Sequence, residues 1–338
     1  MRVVLITGGA GFIGSNLAKR CFEKGWSVDV VDDLSNGHRE FLPGQLIQPD
    51  VATTEHWTGH RFPAGPTFFK CDFATGSPRR RIRTGTYDTV FHLAALPRVS
   101  YSVEHPVETN DTNVTRTLSL LEACRGTRTR VIFASSSSVY GGADALPTPE
   151  SHPKDPKSPY ALQKSIIEDY LMMYWRLYGL DSACMRFFNV FGENQLGDSP
   201  YSTAVSAWLT AIHQGRPMRS DGTGEQTRDM CYVGNVVDAC IAAAEHVEPL
   251  EAARFNVACG SSVSNMQIMD ELMKRYPNAA RTDAPWRAGD VMHTCADITN
   301  IQQRLGYSPR VSFWEGLDRT VEWYERSWPN IQKMKLRL

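Results

Sequence analysis

Short apolar runs alternate with stretches of helical period through the first half of the chain. Val3–Thr7 (VVLIT) predicts a strand, Ile13–Lys24 a helix and Ser27–Val31 a second strand. Thr67–Cys71, Thr89–His92 and Val131–Ala134 follow as short runs ending near polar or small residues, and Ser182–Phe188 as a further strand. This rhythm predicts a parallel sheet with helices on both faces. Between Leu34 and Pro66, Gly, Pro, Thr and His dominate, which predicts a long surface excursion with room for a short helix and no visible function. Beyond Asn189 the rhythm loosens: Ala204–Gln214, Val236–Glu245, Ser264–Tyr276 and Phe313–Trp328 read as helices and Met230–Val233 as extended. The expected division is a sheet domain over 1–188 and a smaller mixed α/β domain over 189–338, with segments near 229–246 returning to the sheet.

Composition narrows the class. With 338 residues, 42% of them hydrophobic, the chain can bury a large core. Thirty-six Lys and Arg against 37 Asp and Glu leave no global field for nucleic acid or an anionic membrane. The cluster Arg79, Arg80, Arg81 and Arg83 is the only basic run and reads as a solvated loop, because no aromatic platform accompanies it. No apolar run approaches the ~18 residues of a membrane span, and Met1 leads straight into VVLI without a signal-peptide arrangement. Eight cysteines without CxxC pairs or His partners at zinc spacing predict reduced thiols in a cytoplasmic protein and no metal site.

The first segment with chemistry is Thr7–Gly14 (TGGAGFIG), which lies between a strand and a helix. Gly8, Gly11 and Gly14 let the backbone turn tightly and approach a pyrophosphate resting on the helix N-terminus. The acid at the end of the next strand is Asp32, with Asp33 beside it. A carboxylate there accepts from a ribose 2′-hydroxyl and repels a 2′-phosphate, which favours NAD over NADP. Asp72, after the third strand, is placed to meet the adenine edge. The fold class that follows is α/β, a Rossmann-type doubly wound parallel sheet with the smaller mixed domain carrying the substrate.

Two further segments handle protons. Ser135–Gly141 (SSSSVYG) supplies a hydroxyl, and Tyr160 and Lys164 stand four apart in YALQK, on one face of a helix that Ser158-Pro159 would open. A free phenol is a poor base at neutral pH, and a nearby ammonium together with a positive nicotinamide ring would favour the phenolate.

These motifs, with FHLAAL (Phe91–Leu96), RFFNVFG (Arg186–Gly192), TRDMCYV (Thr227–Val233), RAGDVMHTCAD (Arg287–Asp297) and LGYSP (Leu305–Pro309), resemble the extended short-chain dehydrogenases/reductases. The likeness spans nearly the whole length and is nearest to the NAD-dependent nucleotide-sugar epimerases and dehydratases, UDP-N-acetylglucosamine and UDP-glucose 4-epimerases among them. It implies Tyr160 as base, Lys164 as its electrostatic partner and ribose ligand, and Ser136 as the bridging hydroxyl. It implies a cofactor site of Gly8, Gly11, Phe12, Ile13, Gly14, Asp32, Asp33, Asn36, Asp72, Phe73, Leu93, Ala94, Ala95 and Asn113, together with Tyr160 and Lys164. It implies substrate contacts from Ser137, Ser138, Asn189, Arg228, Arg287, Asp290 and Thr294, the two arginines clamping a diphosphate.

Dehydratases of this family usually place an Asp-Glu pair directly after the catalytic hydroxyl, and nucleotide-glucuronate decarboxylases carry a glutamate at the place of Ser138. Ser137 and Ser138 stand there here, so elimination lacks a general acid and 4-epimerisation is expected. Thr294, four residues beyond Asp290, leaves room for an N-acetyl group where a tyrosine would crowd it. Uronate epimerases can also carry threonine there, but tend to replace the Asn189 amide and to add an arginine where Leu196 stands. UDP-N-acetylglucosamine is the favoured substrate, with UDP-glucuronate and UDP-glucose as alternatives. A reductase of free 4-keto sugars, or a non-catalytic NAD-binding sensor, would be a different class; sensors usually lose the tyrosine or lysine. The helices Val107–Cys124 and Tyr160–Tyr178 are expected to build a homodimer through a four-helix bundle, since Ile166, Ile167, Tyr170, Leu171, Tyr174 and Trp175 cover two faces of the second.

Overall fold

The computed structural model describes residues 1–44, 65–142, 144–197, 203–286 and 291–334. Seven strands form one parallel sheet: β1 (Val3–Thr7), β2 (Ser27–Asp32), β3 (Thr67–Lys70), β4 (Thr89–His92), β5 (Arg130–Ser136), β6 (Ser182–Phe187) and β7 (Ala253–Val257). Their order is β7-β6-β5-β4-β1-β2-β3, so the chain reverses direction across the sheet between β1 and β4. A crevice opens at the carboxyl ends of the strands at such a switch point, and ligands bind there.

The sheet exists because alternate side chains along each strand bury on opposite faces. Val4 and Ile6 point into one apolar layer and Leu5 into the other; Ile132 and Phe133 divide in the same way. The first layer continues without a break through Trp208, Met230, Tyr232, Leu317 and Tyr324. The second half of the chain therefore shares its core with the sheet.

Six of the sheet strands and the main helices fall where the periodicity placed them, within a few residues. Three departures matter. The seventh strand, β7, carries Arg254 and Asn256 in the run ARFNV, and those polar residues hid it among the loops. The arginine cluster is not a solvated loop: it lies in the helix Gly76–Arg83, and Arg81 pairs with the buried Asp29 at 3.0 Å. The segment Val107–Cys124 is broken by a π-helical stretch, Asp111–Arg116, between short α-helices. Of the Leu34–Pro66 excursion, only the two ends lie within the described residues, and they include a short 3-10 helix at Arg39–Phe41.

The helix Pro159–Tyr178 organises the crevice. Ser158 caps it by accepting from the Ala161 amide, Pro159 opens it, and Gly179 closes it in the left-handed conformation. Among the described residues, no helix is long and apolar enough to cross a membrane.

Candidate active site

One cavity of about 1170 Å³ runs along the carboxyl ends of the strands. At one end the glycine turn closes on its neighbours. Gly8 has φ +68°, and a Cβ there would lie 2.7 Å from the Ala94 amide nitrogen. A Cβ on Gly14 would lie 2.2 Å from the Gly8 carbonyl. Both positions thus require glycine, and the first residues of the helix Phe12–Glu23 line the cavity. Gly14→Ala is expected to lower NAD affinity at least about tenfold by pushing this helix away from the turn. Calorimetric titration of the stripped protein with NAD measures it.

Asp32, 9% exposed, accepts from the amides of Ala10 (3.0 Å) and Leu34 (2.8 Å), which aim its carboxylate at the cavity floor. Asp33 accepts from the Ser35 amide, and Asn36 from Arg98. Asp72 pairs with Arg116 at 2.6 Å, so the acid expected at the adenine edge already holds a guanidinium that also lines the cavity. Phe12, Ile13, Gly11, Phe73, Leu93, Ala94 and Ala95 complete this wall. Such a cradle, with glycines where a side chain cannot fit and a buried carboxylate at the second strand's end, fits a dinucleotide with an unmodified ribose.

Asn113 sits elsewhere. It is 3% exposed and does not line the cavity; its side chain holds both backbone groups of Leu96 (2.8 and 3.1 Å) and bonds Gln163. The π-helical stretch carries it, and its side chain fixes the backbone of Leu96, which does line the cavity.

Ser136, Tyr160 and Lys164 converge in the middle of the cavity. Tyr160 is partly open to it, with the Ser136 side chain near enough to favour its ionised form. Burial pushes the phenol up to about 12, the Ser136 contact opposing it, and burial takes the Lys164 ammonium down to about 7. The Lys164 nitrogen lies 4.7 Å from the Phe133 ring centre and 5.6 Å from that of Tyr160. In the protein without NAD, burial is the largest influence on the phenol. Behind Lys164, His92 is held between the hydroxyls of Thr7 (2.7 Å) and Thr117 (2.9 Å). Its own burial, aided by Lys164, lowers it to about 3, so it stays neutral and adds no competing charge.

Ser137 and Ser138 form the short turn after β5, and the Ser138 hydroxyl donates to that of Ser136 at 2.9 Å. They extend a hydroxyl chain and bring no carboxylate. On the far wall the Thr294 hydroxyl accepts from the Asp229 amide (3.2 Å) and the Asn189 side chain (3.4 Å). Arg228 lines the same wall, its guanidinium donating to the carbonyls of Thr227 and Met292. Arg287 and Asp290 lie outside the described residues.

Sequence reasoning passed over Asp229, which organises this wall. Its carboxylate accepts from the amides of Cys259, Gly260 and Ala296, and burial lifts it to about 6 against those bonds. It also passed over the buried pair Glu168–Arg186 beneath Ser136. Tyr160-x3-Lys164-x3-Glu168 was the signal, a third member on the same helical stripe.

The model of the NAD dependent epimerase/dehydratase family matches residues 4–258. The UDP-glucose 4-epimerase of Mycolicibacterium smegmatis is 34% identical over 95% of this chain and 97% of its own length. The UDP-N-acetylglucosamine 4-epimerase of Methanobrevibacter ruminantium, solved with UDP-N-acetylmuramic acid, superposes with a TM-score of 0.85. It is 32% identical, over 96% of this chain and 99% of that one. The UDP-glucose 4-epimerase of Thermus thermophilus, solved with NAD, has a TM-score of 0.81 at 30% identity, over 96% and 99%. With the glycine cradle, the Ser-Tyr-Lys group and these likenesses together, the chain belongs to the NAD-dependent epimerase/dehydratase family and NAD is its cofactor.

Proposed function

We propose that this NAD-dependent enzyme interconverts UDP-N-acetylglucosamine and UDP-N-acetylgalactosamine by epimerisation at C4. The observation that carries the reading is the pairing of a complete Ser136–Tyr160–Lys164 group with hydroxyls alone at Ser137 and Ser138. Tyr160 takes the proton of the sugar 4-hydroxyl and returns it, and Ser136 holds that oxygen while its charge changes. Lys164 supplies a nearby positive charge whose ionisation is balanced near neutrality. NAD, when bound, supplies reversible hydride removal at C4. A 4-keto sugar that turns over in the cavity before the hydride returns yields the epimer. No carboxylate at the two positions after Ser136 can protonate a C6 hydroxyl, which disfavours dehydration.

Thr294 leaves room for an acetamido group, and two further features favour an N-acetylated sugar over a uronate. The Thr294 side chain is short and its hydroxyl is turned into the wall by the Asp229 amide. Asn189 keeps its amide on the same wall, and Leu196 lines it apolar. An uncompensated sugar carboxylate there would be costly. The structural likeness to an enzyme that acts on UDP-N-acetylglucosamine supports the same choice. Thr294→Tyr is expected to cut kcat/KM for UDP-N-acetylglucosamine roughly 10- to 100-fold while sparing UDP-glucose, because the larger ring fills the acetamido space. Competition between the two substrates reads this ratio.

The direct test is NMR analysis of products from purified protein given UDP-N-acetylglucosamine without added NAD. The galacto epimer is the expected result. No product before or after NAD addition, with turnover of UDP-glucuronate or UDP-glucose, would move the assignment to that sugar; a 4-keto-6-deoxy product would overturn epimerisation.

The same reading includes a homodimer. Val107 (83% exposed), Met173 (50%) and Leu177 (63%) leave apolar surface on the two segments expected to pair. Eight free thiols suit a reducing compartment and support a cytoplasmic protein.

A further inference from the structure

Beneath the catalytic group lies a polar cluster that the reaction itself does not use. Ser135 on β5, Arg186 on β6 and Asn256 on β7 are lateral neighbours in register, one level across three strands. Their side chains meet Glu168 and Tyr140. Glu168 is fully buried and its Oε1 accepts from the Ser135 hydroxyl (2.6 Å) and from Arg186 Nε (2.8 Å). Its Oε2 accepts from Arg186 Nη2 at 2.6 Å and pairs with Arg254 at 3.2 Å. Arg186 in turn donates to the Tyr140 hydroxyl, which donates to Asn256.

Two connections make this cluster more than a stability device. Ser135 is bonded through one peptide unit to Ser136, and Glu168 stands one helical turn beyond Lys164 and two beyond Tyr160. The 2.6 Å Ser135–Glu168 bond is thus the tie between the strand end that carries the bridging hydroxyl and the helix that carries the phenol. Arg186 already neutralises the carboxylate with a forked pair, so charge balance does not require the serine.

We propose that Ser135 is a positioning residue whose hydroxyl, anchored on the buried carboxylate of Glu168, sets the register between Ser136 and Tyr160. Without the tie, the strand end and the helix slide by fractions of an ångström and Ser136 and Tyr160 move apart. Proton transfer is sensitive to such displacement, to the extent of about 100-fold for 1 Å. A wider separation also weakens the help that the Ser136 hydroxyl gives the phenol's ionisation.

Ser135→Ala tests this in the full-length protein with its cofactor. It removes one oxygen and leaves the Glu168–Arg186 fork in place, so the fold is kept, as denaturation midpoints will verify. Two readouts are taken. Carbon-13 NMR of ring-labelled tyrosine, with Tyr160 assigned by its absence in Tyr160→Phe, follows the phenol's titration. Steady-state kinetics with UDP-N-acetylglucosamine separates kcat from KM; this arm alone rests on the 4-epimerase reading. The expected result is an upward shift of the Tyr160 titration, kcat about tenfold lower, and KM and NAD content within twofold. Ser135→Thr, which keeps the hydroxyl, restores both. An unshifted phenol overturns the proposal, as does a shift that Ser135→Thr fails to reverse. If the wild-type protein turns over none of the UDP-sugars, the functional assignment falls and the titration still decides the role of Ser135.

Discussion

Tyr160→Phe is expected to lower kcat by roughly 10³-fold while leaving NAD content and the unfolding midpoint unchanged. The substitution removes a single oxygen. The ring still packs beside Lys164, and the backbone amide of residue 160 still donates to the Ser102 hydroxyl at 3.0 Å. What disappears is the ionisable group that lines the cavity beside Ser136. With burial pushing the phenol up to about 12 in the protein alone, little phenolate is present at pH 7. The rate therefore depends on whatever charge the loaded site adds, and kcat should rise with pH on the acid side, where the phenolate becomes available. Single-turnover measurements on protein that still carries NAD check the result. Retention of more than a tenth of the wild-type rate would mean that the proton leaves by another path, with Ser136 and water as the alternative carriers.

Arg186→Met is expected to destabilise the protein by about 3–5 kcal/mol, the largest stability effect of any single substitution considered. Arg186 is 1% exposed and Glu168 fully buried, so removing the forked cation leaves a buried carboxylate with only the Ser135 hydroxyl and the Arg254 guanidinium as partners. The loss also frees the Tyr140 hydroxyl from its donor. The double variant Arg186→Met/Glu168→Met should recover much of the loss, because two apolar side chains of similar length fill the site without a charge. Urea denaturation of both variants, compared at matched NAD occupancy, provides the measurement. Equal stability of single variant and wild type would show that water reaches the pair; failure of the double variant to recover anything would place the energy in the Ser135, Arg254 and Tyr140 bonds instead.

Much of the fold was legible because it is written locally. Six strands and most helices announce themselves by period, and the glycine turn does so because Gly8 and Gly14 occupy positions where a Cβ would strike backbone. Tyr160 and Lys164 were readable as a pair because four residues on a helix bring side chains to one face. The seventh strand was not readable, since Asn256 is polar yet fully buried, and its burial makes sense only through Tyr140 and the carbonyls of Thr148 and Asp297. The arginine cluster misled for a similar reason: its anchored member Arg81 finds Asp29 on a strand far away in sequence.

The sequence by itself determined six of the seven sheet strands, the dinucleotide turn, the acid at Asp32 and the Tyr–Lys stripe, all set by spacing within one element or between consecutive ones. Only the tertiary structure decided that Asn113 grips Leu96 behind the cavity wall, that Asp229 gathers three separate amides, and that Glu168 ties Ser135 to the catalytic helix. The reason is physical. Those contacts join residues 17 to 67 positions apart, and a hydrogen bond of that span has no period along the chain; it exists only once the core has fixed both partners in place.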